Sequence, residues 1–245
     1  MKKLEKLRYD KRASKIKKNL KDNNSKSFSK HIVPAASKVQ YDFYENLIKE
    51  KVKEGMQVLE IGCGTGESSW QAIDSGANII LTDISPISLD AAKYRFRKKN
   101  KNLEFIEADM EKLPFEKEKF DIILCAGSLS YGEHDLVRRE IFRVLKLNGF
   151  FICIDSLDHN IIYRLNRIIH FIRGIRTWLT ISRIPKLKLI KSYKQFGWGK
   201  HYYFGSFFWL TKLLESFINS NSLKKLSIFL DKYFGNHLTA FNFVM

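Results

Sequence analysis

The chain has 245 residues, of which 44% are hydrophobic, and it carries a formal net charge of +17. This length suffices for one α/β domain with a sizeable core and an insertion, and we expect no second full domain. Charged residues interrupt every apolar stretch well before the roughly 20 residues that a membrane span needs, and no amino-terminal segment has the apolar core of a signal peptide, so we expect no transmembrane segment and a cytoplasmic location.

Residues 1–30 form a basic amino-terminal arm with twelve Lys or Arg and three acidic residues. Apolar side chains are few in it, so it is predicted to be a mobile arm or a marginal helix that orders over a bound ligand. Residues 160–245 are basic as well, with fourteen Lys or Arg and two acidic residues. Residues 31–159 are mildly acidic, with seventeen Lys or Arg and twenty-one acidic residues. A basic flank beside a substrate cleft would attract the phosphates of a sugar nucleotide, a nucleic acid or an anionic membrane, and a merely solvated surface is the alternative.

A buried-strand pattern runs directly into a glycine-rich turn at residues 58–66, which read VLEIGCGTG. Glycines stand at positions 62, 64 and 66, and a residue without a Cβ lets a ligand approach the bare backbone. The dinucleotide fingerprint G-x-G-x-x-G would need its third glycine at position 67, where the chain has Glu67. Glu60 precedes the turn and suits a ligand that carries a cation. Asp83 follows the second apolar run and suits the two hydroxyl groups of a ribose.

Alternating strand and helix patterns predict a Rossmann-like α/β core over residues 31–156. The three cysteines, Cys63, Cys125 and Cys153, have no paired spacing, so we expect reduced core residues and neither a disulfide framework nor a metal site. The predicted strands cover residues 57–61, 78–82, 103–107, 120–125 and 149–155, and the predicted helices cover residues 36–52, 66–75, 86–99 and 133–146.

Residues 157–245 are predicted to add a helical cap and two final strands to the same domain, on the acceptor side. Apolar residues recur at spacings of four and three from Ile161 to Leu179, which predicts one face of a long helix whose other faces carry arginines. The predicted strands cover residues 198–204 and 238–244, and the predicted helices between them cover residues 207–219 and 223–234.

Five motifs between Glu60 and Asp155 resemble, in order, those of the class I S-adenosylmethionine (SAM) dependent methyltransferases. They read EIGCGTG at 60–66, LTDI at 81–84, IEADMEKLPF at 106–115, FDIILCAGS at 120–128 and VLKLNGFFICID at 144–155. The resemblance implies a Rossmann-like sheet of seven mostly parallel strands, with an antiparallel pair of strands at its edge. It also implies that SAM is the cofactor.

By this resemblance, Asp83 would bind the ribose hydroxyls, and Asp109 would bind the adenine amino group with Met110 along the ring. Glu60 would act on the amino end of the cofactor through water or backbone. The full set of implied cofactor-binding residues is Glu60, Gly62, Cys63, Gly64, Gly66, Asp83, Ile84, Asp109, Met110 and Ala126.

Candidate bases lie in the loops after the fourth and fifth strands. A sulfonium methyl group is already activated, so the protein has to align the reactants and remove a proton if the acceptor is a hydroxyl. We favour His159, oriented by Asp158 or Asp155, with His134 as a further candidate, and a structural role at a helix start is the alternative for both histidines. We expect His159→Ala to abolish turnover and to leave SAM affinity nearly intact.

The later motifs resemble methyltransferases of bacterial surface-polysaccharide biosynthesis. They are DHN at 158–160, the pair Tyr163 and Arg164, and YYFG at 202–205. This resemblance implies O-methylation of a sugar, such as a heptose or hexose on a nucleoside diphosphate, for capsular polysaccharide or lipopolysaccharide. Arg can hold a pyrophosphate in fork geometry and Tyr offers a flat face to a sugar or base. The candidate substrate-binding residues are Tyr131, Arg164, Arg167, His201 and Tyr202.

Three other functions stay open. A quinone or small-lipid methyltransferase would use the helix at 160–180 and Trp178 against a membrane. An RNA methyltransferase would use the basic arms, but no RNA-binding motif accompanies them, and we expect no nucleic-acid partner. A SAM-binding module without turnover is the third. A peripheral membrane contact and a homodimer are both compatible with the sequence.

Overall fold

The computed structural model describes residues 2–22, 37–99, 102–193, 199–237 and 239–245. Its helices are α1 (Lys2–Asp22), α2 (Lys38–Lys51), α3 (Trp70–Ile73), α4 (Pro86–Phe96), α5 (His134–Val144), α6 (Ile161–Ile172), α7 (Trp178–Ser182), α8 (Leu187–Tyr193), α9 (Phe208–Leu214) and α10 (Ser220–Phe234). Its strands are β1 (Gln57–Ile61), β2 (Asn78–Asp83), β3 (Leu103–Glu107), β4 (Phe120–Ala126), β5 (Leu145–Ser156), β6 (Tyr202–Phe204) and β7 (Asn242–Val244), and a short 3-10 helix spans Leu129–Tyr131.

The seven strands form one sheet in the order β3-β2-β1-β4-β5-β7-β6. Strand β1 pairs in parallel with β2 and β4, and β2 pairs in parallel with β3. Strand β7 runs antiparallel to both β5 and β6. The strand order reverses between β1 and β4, and in open α/β sheets a ligand binds outside the carboxyl ends of the strands at such a point. The predicted class I methyltransferase fold is therefore confirmed, including its antiparallel edge.

The described residues divide into two compact units. The first contains α1 and Leu47–Ile152, and the second contains the amino-terminal part of α2 together with Cys153–Met245. The core of the first unit lies on the central strands, where Leu59, Leu81 and Ile123 are fully buried. Parallel strands covered on both faces are expected to be largely apolar, and the central residues of β2 and β4 have that composition, whereas β1 also holds the buried Glu60.

The long helix predicted from residue 161 to 179 is wrong, because the chain leaves the helical conformation after α6. Gly174 has a φ of +65°, a left-handed conformation that ends helices. A second short helix, α7, then begins after Thr177, whose side chain accepts a hydrogen bond from the Thr180 backbone N–H at 3.3 Å. The apolar periodicity continued through this break, so periodicity alone did not reveal it.

Other predicted boundaries shift by a few residues. Helix α10 begins before the predicted 223–234 because the Asn219 side chain accepts from the Ser222 backbone N–H at 2.9 Å and caps it. The helix predicted over 66–75 forms only at Trp70–Ile73, and α9 ends five residues before the predicted residue 219. The final strands are shorter than predicted, and residues 198 and 238, at which they were predicted to begin, lie outside the described residues.

Candidate functional site

The turn after β1 combines two packed glycines with an open one. A Cβ on Gly62 would lie 2.6 Å from the Ser128 Cβ, and a Cβ on Gly66 would lie 2.5 Å from a ring carbon of Phe96. Gly64 has a φ of +55° and nothing within 4 Å of the place where its Cβ would be. The outer glycines are therefore required by packing, whereas Gly64 presents bare backbone to open space.

Asp83 connects this turn to the loop after β2. Its two carboxylate oxygens accept hydrogen bonds from the Gly64 backbone N–H at 2.8 Å and from the Ser85 backbone N–H at 2.9 Å. Burial raises the pKa of Asp83, and these two backbone donors oppose the rise. Each oxygen uses one lone pair on the backbone and keeps another, so the carboxylate is oriented and can still accept from two vicinal hydroxyls.

Glu60 is a buried carboxyl on β1 beside the same turn. Burial raises its pKa to about 7, the Asp83 charge adds to the rise, and the Ser69 side chain opposes it. Among the described residues, Glu60 Oε2 has no hydrogen-bond partner. A buried acid without a partner is costly when it is ionised, and a cationic ligand would offset that cost. The residues present therefore fit a ligand with a ribose and a cationic end, as SAM has.

Residues that follow the third and fourth strands also lie near the turn after β1. The Asp109 carboxylate accepts from the Glu111 backbone N–H at 3.0 Å, and Met110 lies against Gly62 and Gly132. Ser128 donates to the Ile61 backbone carbonyl at 3.2 Å, which links the loop after β4 to the end of β1. Sequence reasoning missed Ser128, although its place after a strand and a glycine was a usable signal. The other predicted cofactor residues in this unit are Cys63, which is buried, Ala126, which is half-buried, and Ile84, which is exposed.

Helix α1 packs across the loops that follow β2 and β4. Asp10 accepts a hydrogen bond from the Ser85 hydroxyl, and the Tyr9 and Tyr131 rings meet edge to face at 5.1 Å with their hydroxyls hydrogen-bonded. Asp10 also raises the pKa of Asp83. Of the two predicted forms of the arm, the helix is confirmed for residues 2–22. Residues 23–30 of the arm lie outside the described residues.

Sequence reasoning gave α1 no site residues, although its spacing held a signal. Tyr9, Ala13 and Leu20 fall on one helix face, and Ala13 and Leu20 are buried. The Lys-rich composition obscured this face. Tyr131, predicted to bind substrate, is thus a partner of α1.

The second unit brings Asp158, His159 and Arg164 together. Arg164 Nε lies 3.4 Å from an Asp158 carboxylate oxygen. Burial raises the pKa of Asp158, and Arg164 opposes the rise. Asp155 is buried at the end of β5, and one of its carboxylate oxygens accepts from the Ser156 backbone N–H at 2.6 Å. Asp158 therefore has Arg164 as a charged partner as well as the nearby His159, and the orientation of His159 by Asp158 or Asp155 stays a prediction.

The ring of His159 is hydrogen-bonded to the backbone. Its Nε2 accepts a hydrogen bond from the Leu187 backbone N–H at 3.1 Å. A neutral imidazole has one lone pair, so Nδ1 carries the proton in this arrangement. Burial lowers the pKa of His159, and the nearby Asp158 opposes that. A role as general base would require the bond to Leu187 to break.

The remaining predicted residues lie in different surroundings. The Arg167 guanidinium lies 4.3 Å from the centre of the Tyr163 ring, and the Tyr202 ring packs on Phe43 at 4.5 Å. His201 is half-buried just before β6. His134 begins α5 in the first unit, half-buried.

Comparison with known families decides the class of this fold. A family model described as "Methyltransferase domain" matches residues 52–175, which is half of the chain. The chain belongs to this methyltransferase family. Its cofactor is SAM.

Two curated relatives and one solved structure illustrate the similarity. A demethylmenaquinone methyltransferase of Lactococcus lactis subsp. lactis is 33% identical over 107 residues, which are 42% of this chain and 42% of the relative. A ubiquinone/menaquinone biosynthesis C-methyltransferase of Brucella abortus is 33% identical over 109 residues, 42% of this chain and 40% of the relative. The chain thus spans about two fifths of these relatives' length.

The structure of a geranyl diphosphate C-methyltransferase from Streptomyces coelicolor has a TM-score of 0.60 with 16% identity, and the match covers 85% of this chain and 77% of that one. At this identity the likeness shows the fold alone. Within the described residues, no helix of this methyltransferase is long and apolar enough to cross a membrane.

Proposed function

We propose that this methyltransferase transfers the methyl group of SAM to a quinone-type small lipid. The observation that carries the proposal is the distribution of apolar surface. Of the 22 large hydrophobic side chains that are exposed in the described residues, 16 belong to the second unit. The two curated relatives, whose names state quinone substrates, support the same acceptor class.

Bound SAM supplies a methyl group on a positively charged sulfur. An acceptor that gained this methyl group would give up one proton, so the chain would have to provide a base that takes it. Asp83 orients the ribose end through its backbone-anchored carboxylate. Glu60 offers a buried negative charge to the cationic end once the carboxyl is ionised.

The base is proposed to be one of the polar residues around β5 and α5. His159 stays a candidate only if it releases Leu187, whereas Asp158 already has its pKa raised by burial. A carboxyl whose pKa lies closer to neutrality is a better proton acceptor at physiological pH than an ordinary aspartate. Asp158 therefore becomes at least as good a candidate as His159.

A nucleotide sugar for capsular polysaccharide or lipopolysaccharide is the second candidate acceptor. The observation in its favour is the Arg164 side chain, which is 60% exposed and available to a phosphate. Against it, Arg164 already pairs with Asp158, and Arg167 stacks on Tyr163. For RNA methylation, we find no feature among the described residues that favours RNA as the acceptor.

The deciding experiment incubates the full chain with SAM and two acceptor panels. One panel contains short-chain quinols in detergent micelles and the other contains nucleotide sugars, and mass spectrometry measures the gain of one methylene. Methylated quinol is the expected result. Methylated sugar would replace the leading proposal with the second candidate. No product in either panel, from protein that binds S-adenosylhomocysteine, would exclude both acceptor classes.

A further inference from the structure

Helix α6 has almost no buried side chains. Tyr163 is its only buried residue. Ile161 and Ile172, at its two ends, are 75% and 76% exposed, and Leu165 between them is 56% exposed. The aliphatic side chains that remain in water along this helix are Ile161, Ile162, Leu165, Ile168, Ile169 and Ile172. An apolar surface of this kind in a folded protein indicates a partner.

The same surface continues past the end of α6. Ile175 follows the left-handed Gly174, and Trp178 begins α7 with 57% of its surface exposed. The Trp178 ring lies 5.5 Å from the Phe171 ring, so the two aromatic residues form one exposed pair. Tryptophan is enriched where an apolar body and a polar tip meet a bilayer interface. We call residues 161–178 the α6 surface.

The charge around the α6 surface is mostly positive. Residues 159–214 contain eleven Lys or Arg and no Asp or Glu. Arg164 and Arg173 are exposed on or beside α6. Burial, followed by the positive charges of Arg167, Arg176 and Arg173, lowers the pKa of His170, which agrees with a cluster of cations. Asp158, which pairs with Arg164, is an acid beside α6, and the other charged residues named here are cations. An apolar face bordered mainly by cations complements a surface that is apolar inside and anionic outside.

We infer that the α6 surface docks on the anionic face of a lipid bilayer. Aliphatic and aromatic side chains would enter the headgroup and acyl boundary, and the flanking arginines would lie at the phosphates. A second copy of the chain is a poorer occupant, because a symmetric contact would bring two cationic faces together. This inference is independent of the acceptor, since vesicle binding and methyl transfer are measured separately.

The test uses sedimentation of the full chain with vesicles of phosphatidylcholine alone or with about one third phosphatidylglycerol, at about 150 mM salt. We expect binding to the anionic vesicles only, weakened by added salt. The double variant Leu165→Glu and Ile172→Glu should weaken binding at least tenfold, because it removes two apolar groups that would enter the bilayer and adds two negative charges.

The matched control is the double variant Leu136→Glu and Leu147→Glu, which makes the same charge change at exposed residues of the first unit. It should bind the anionic vesicles within about twofold of the unchanged chain, since the residues of the α6 surface are left as they are. Absence of vesicle binding, equal binding to both vesicle types, or equal loss in the two double variants would overturn the inference. Sedimentation velocity completes the test. A dimer that Leu165→Glu and Ile172→Glu dissociates, without vesicle binding by the unchanged chain, would assign the surface to a second copy instead.

Discussion

The two units of this methyltransferase place their polar groups in opposite ways. In the first unit, the Asp83 carboxylate accepts hydrogen bonds from two backbone N–H groups, and Glu60 is buried on β1. In the second, Arg164 and Asp158 pair near the surface. In the first unit Asp83 is thus fixed by backbone groups, whereas in the second unit Asp158 has another side chain as its partner.

The same contrast holds for apolar residues. Central strands such as β1 and β4 bury their aliphatic side chains completely, while α6 leaves its own in water. The aliphatic side chains of a core are covered by other parts of the same chain. An exposed apolar helix, in contrast, indicates a partner that covers it. The first unit can thus be tested by affinity for the cofactor and the second by affinity for partners.

The largest effect is expected from Asp83→Asn. The amide keeps the size of the side chain but loses the charge, and hydrogen bonds to a charged group contribute about 1.5–3 kcal/mol each. We expect the affinity for S-adenosylhomocysteine to fall by about 10- to 100-fold in calorimetry.

Asp121→Asn is the matched control, because Asp121 also accepts from a backbone N–H, that of Gln57 at 2.8 Å, but lies near the amino end of β4. The Asp121→Asn variant should bind S-adenosylhomocysteine with the same affinity as the unchanged chain. Equal losses in the two variants would mean that Asp83 acts only through the fold.

Glu60→Gln should remove a loss of unfolding free energy that the unchanged chain undergoes as the pH rises. The pKa of Glu60 is raised from 4.5 to about 7 in the folded chain. Between these values the unfolded chain has released the proton and the folded chain has kept it. The free energy of unfolding therefore falls as pH rises from 4.5 to 7, by about 3 kcal/mol at most.

Urea unfolding at pH 5 and pH 8, without cofactor, measures this difference. Relative to the unchanged chain, Glu60→Gln should be more stable at pH 8 than at pH 5, because it has no carboxyl to ionise. If the two proteins keep a constant difference in stability across this range, the carboxyl titrates normally and the buried charge is compensated.

Sequence reasoning predicted the first unit well, and the reason is local. The glycine spacing after β1 and the carboxylates at positions 60 and 83 are tied to strand ends, so the parallel topology alone brings them to one edge. The role of α1 was missed because its buried face consists of Ala13 and Leu20 among many lysines. The bond from Leu187 to His159 joins residues 28 apart in sequence, and no local pattern predicts it.

A smaller effect is expected from Gly64→Ala. Gly64 needs a left-handed φ of +55°, and its added methyl group would point into open space where the ligand approaches. Affinity for S-adenosylhomocysteine should fall about tenfold because the added methyl group would block the approach of the ligand, and the left-handed conformation should in addition cost about 1–2 kcal/mol of stability.

Gly55→Ala separates these two costs. Gly55 also has a positive φ, +79°, and nothing within 4 Å of its missing Cβ, but it lies before β1 at the other end of the strand. Both variants should lose similar stability, and only Gly64→Ala should lose affinity. A loss of affinity in both would mean that strain, and not contact with the cofactor, is responsible.

The smallest effect concerns His159 and sharpens the description of the second unit. Since its Nε2 accepts from the Leu187 backbone N–H, we now expect His159→Ala to leave that donor unpaired and to cost about 1–3 kcal/mol of unfolding free energy. His159→Gln can accept the same bond through its amide oxygen and should recover part of that stability. Turnover in both variants should stay within tenfold of the unchanged chain if the residue is structural. Loss of turnover in both, together with loss of the acidic limb of the pH profile of the residual activity, would instead identify His159 as the base, because glutamine can replace a hydrogen-bond acceptor but cannot carry a proton away.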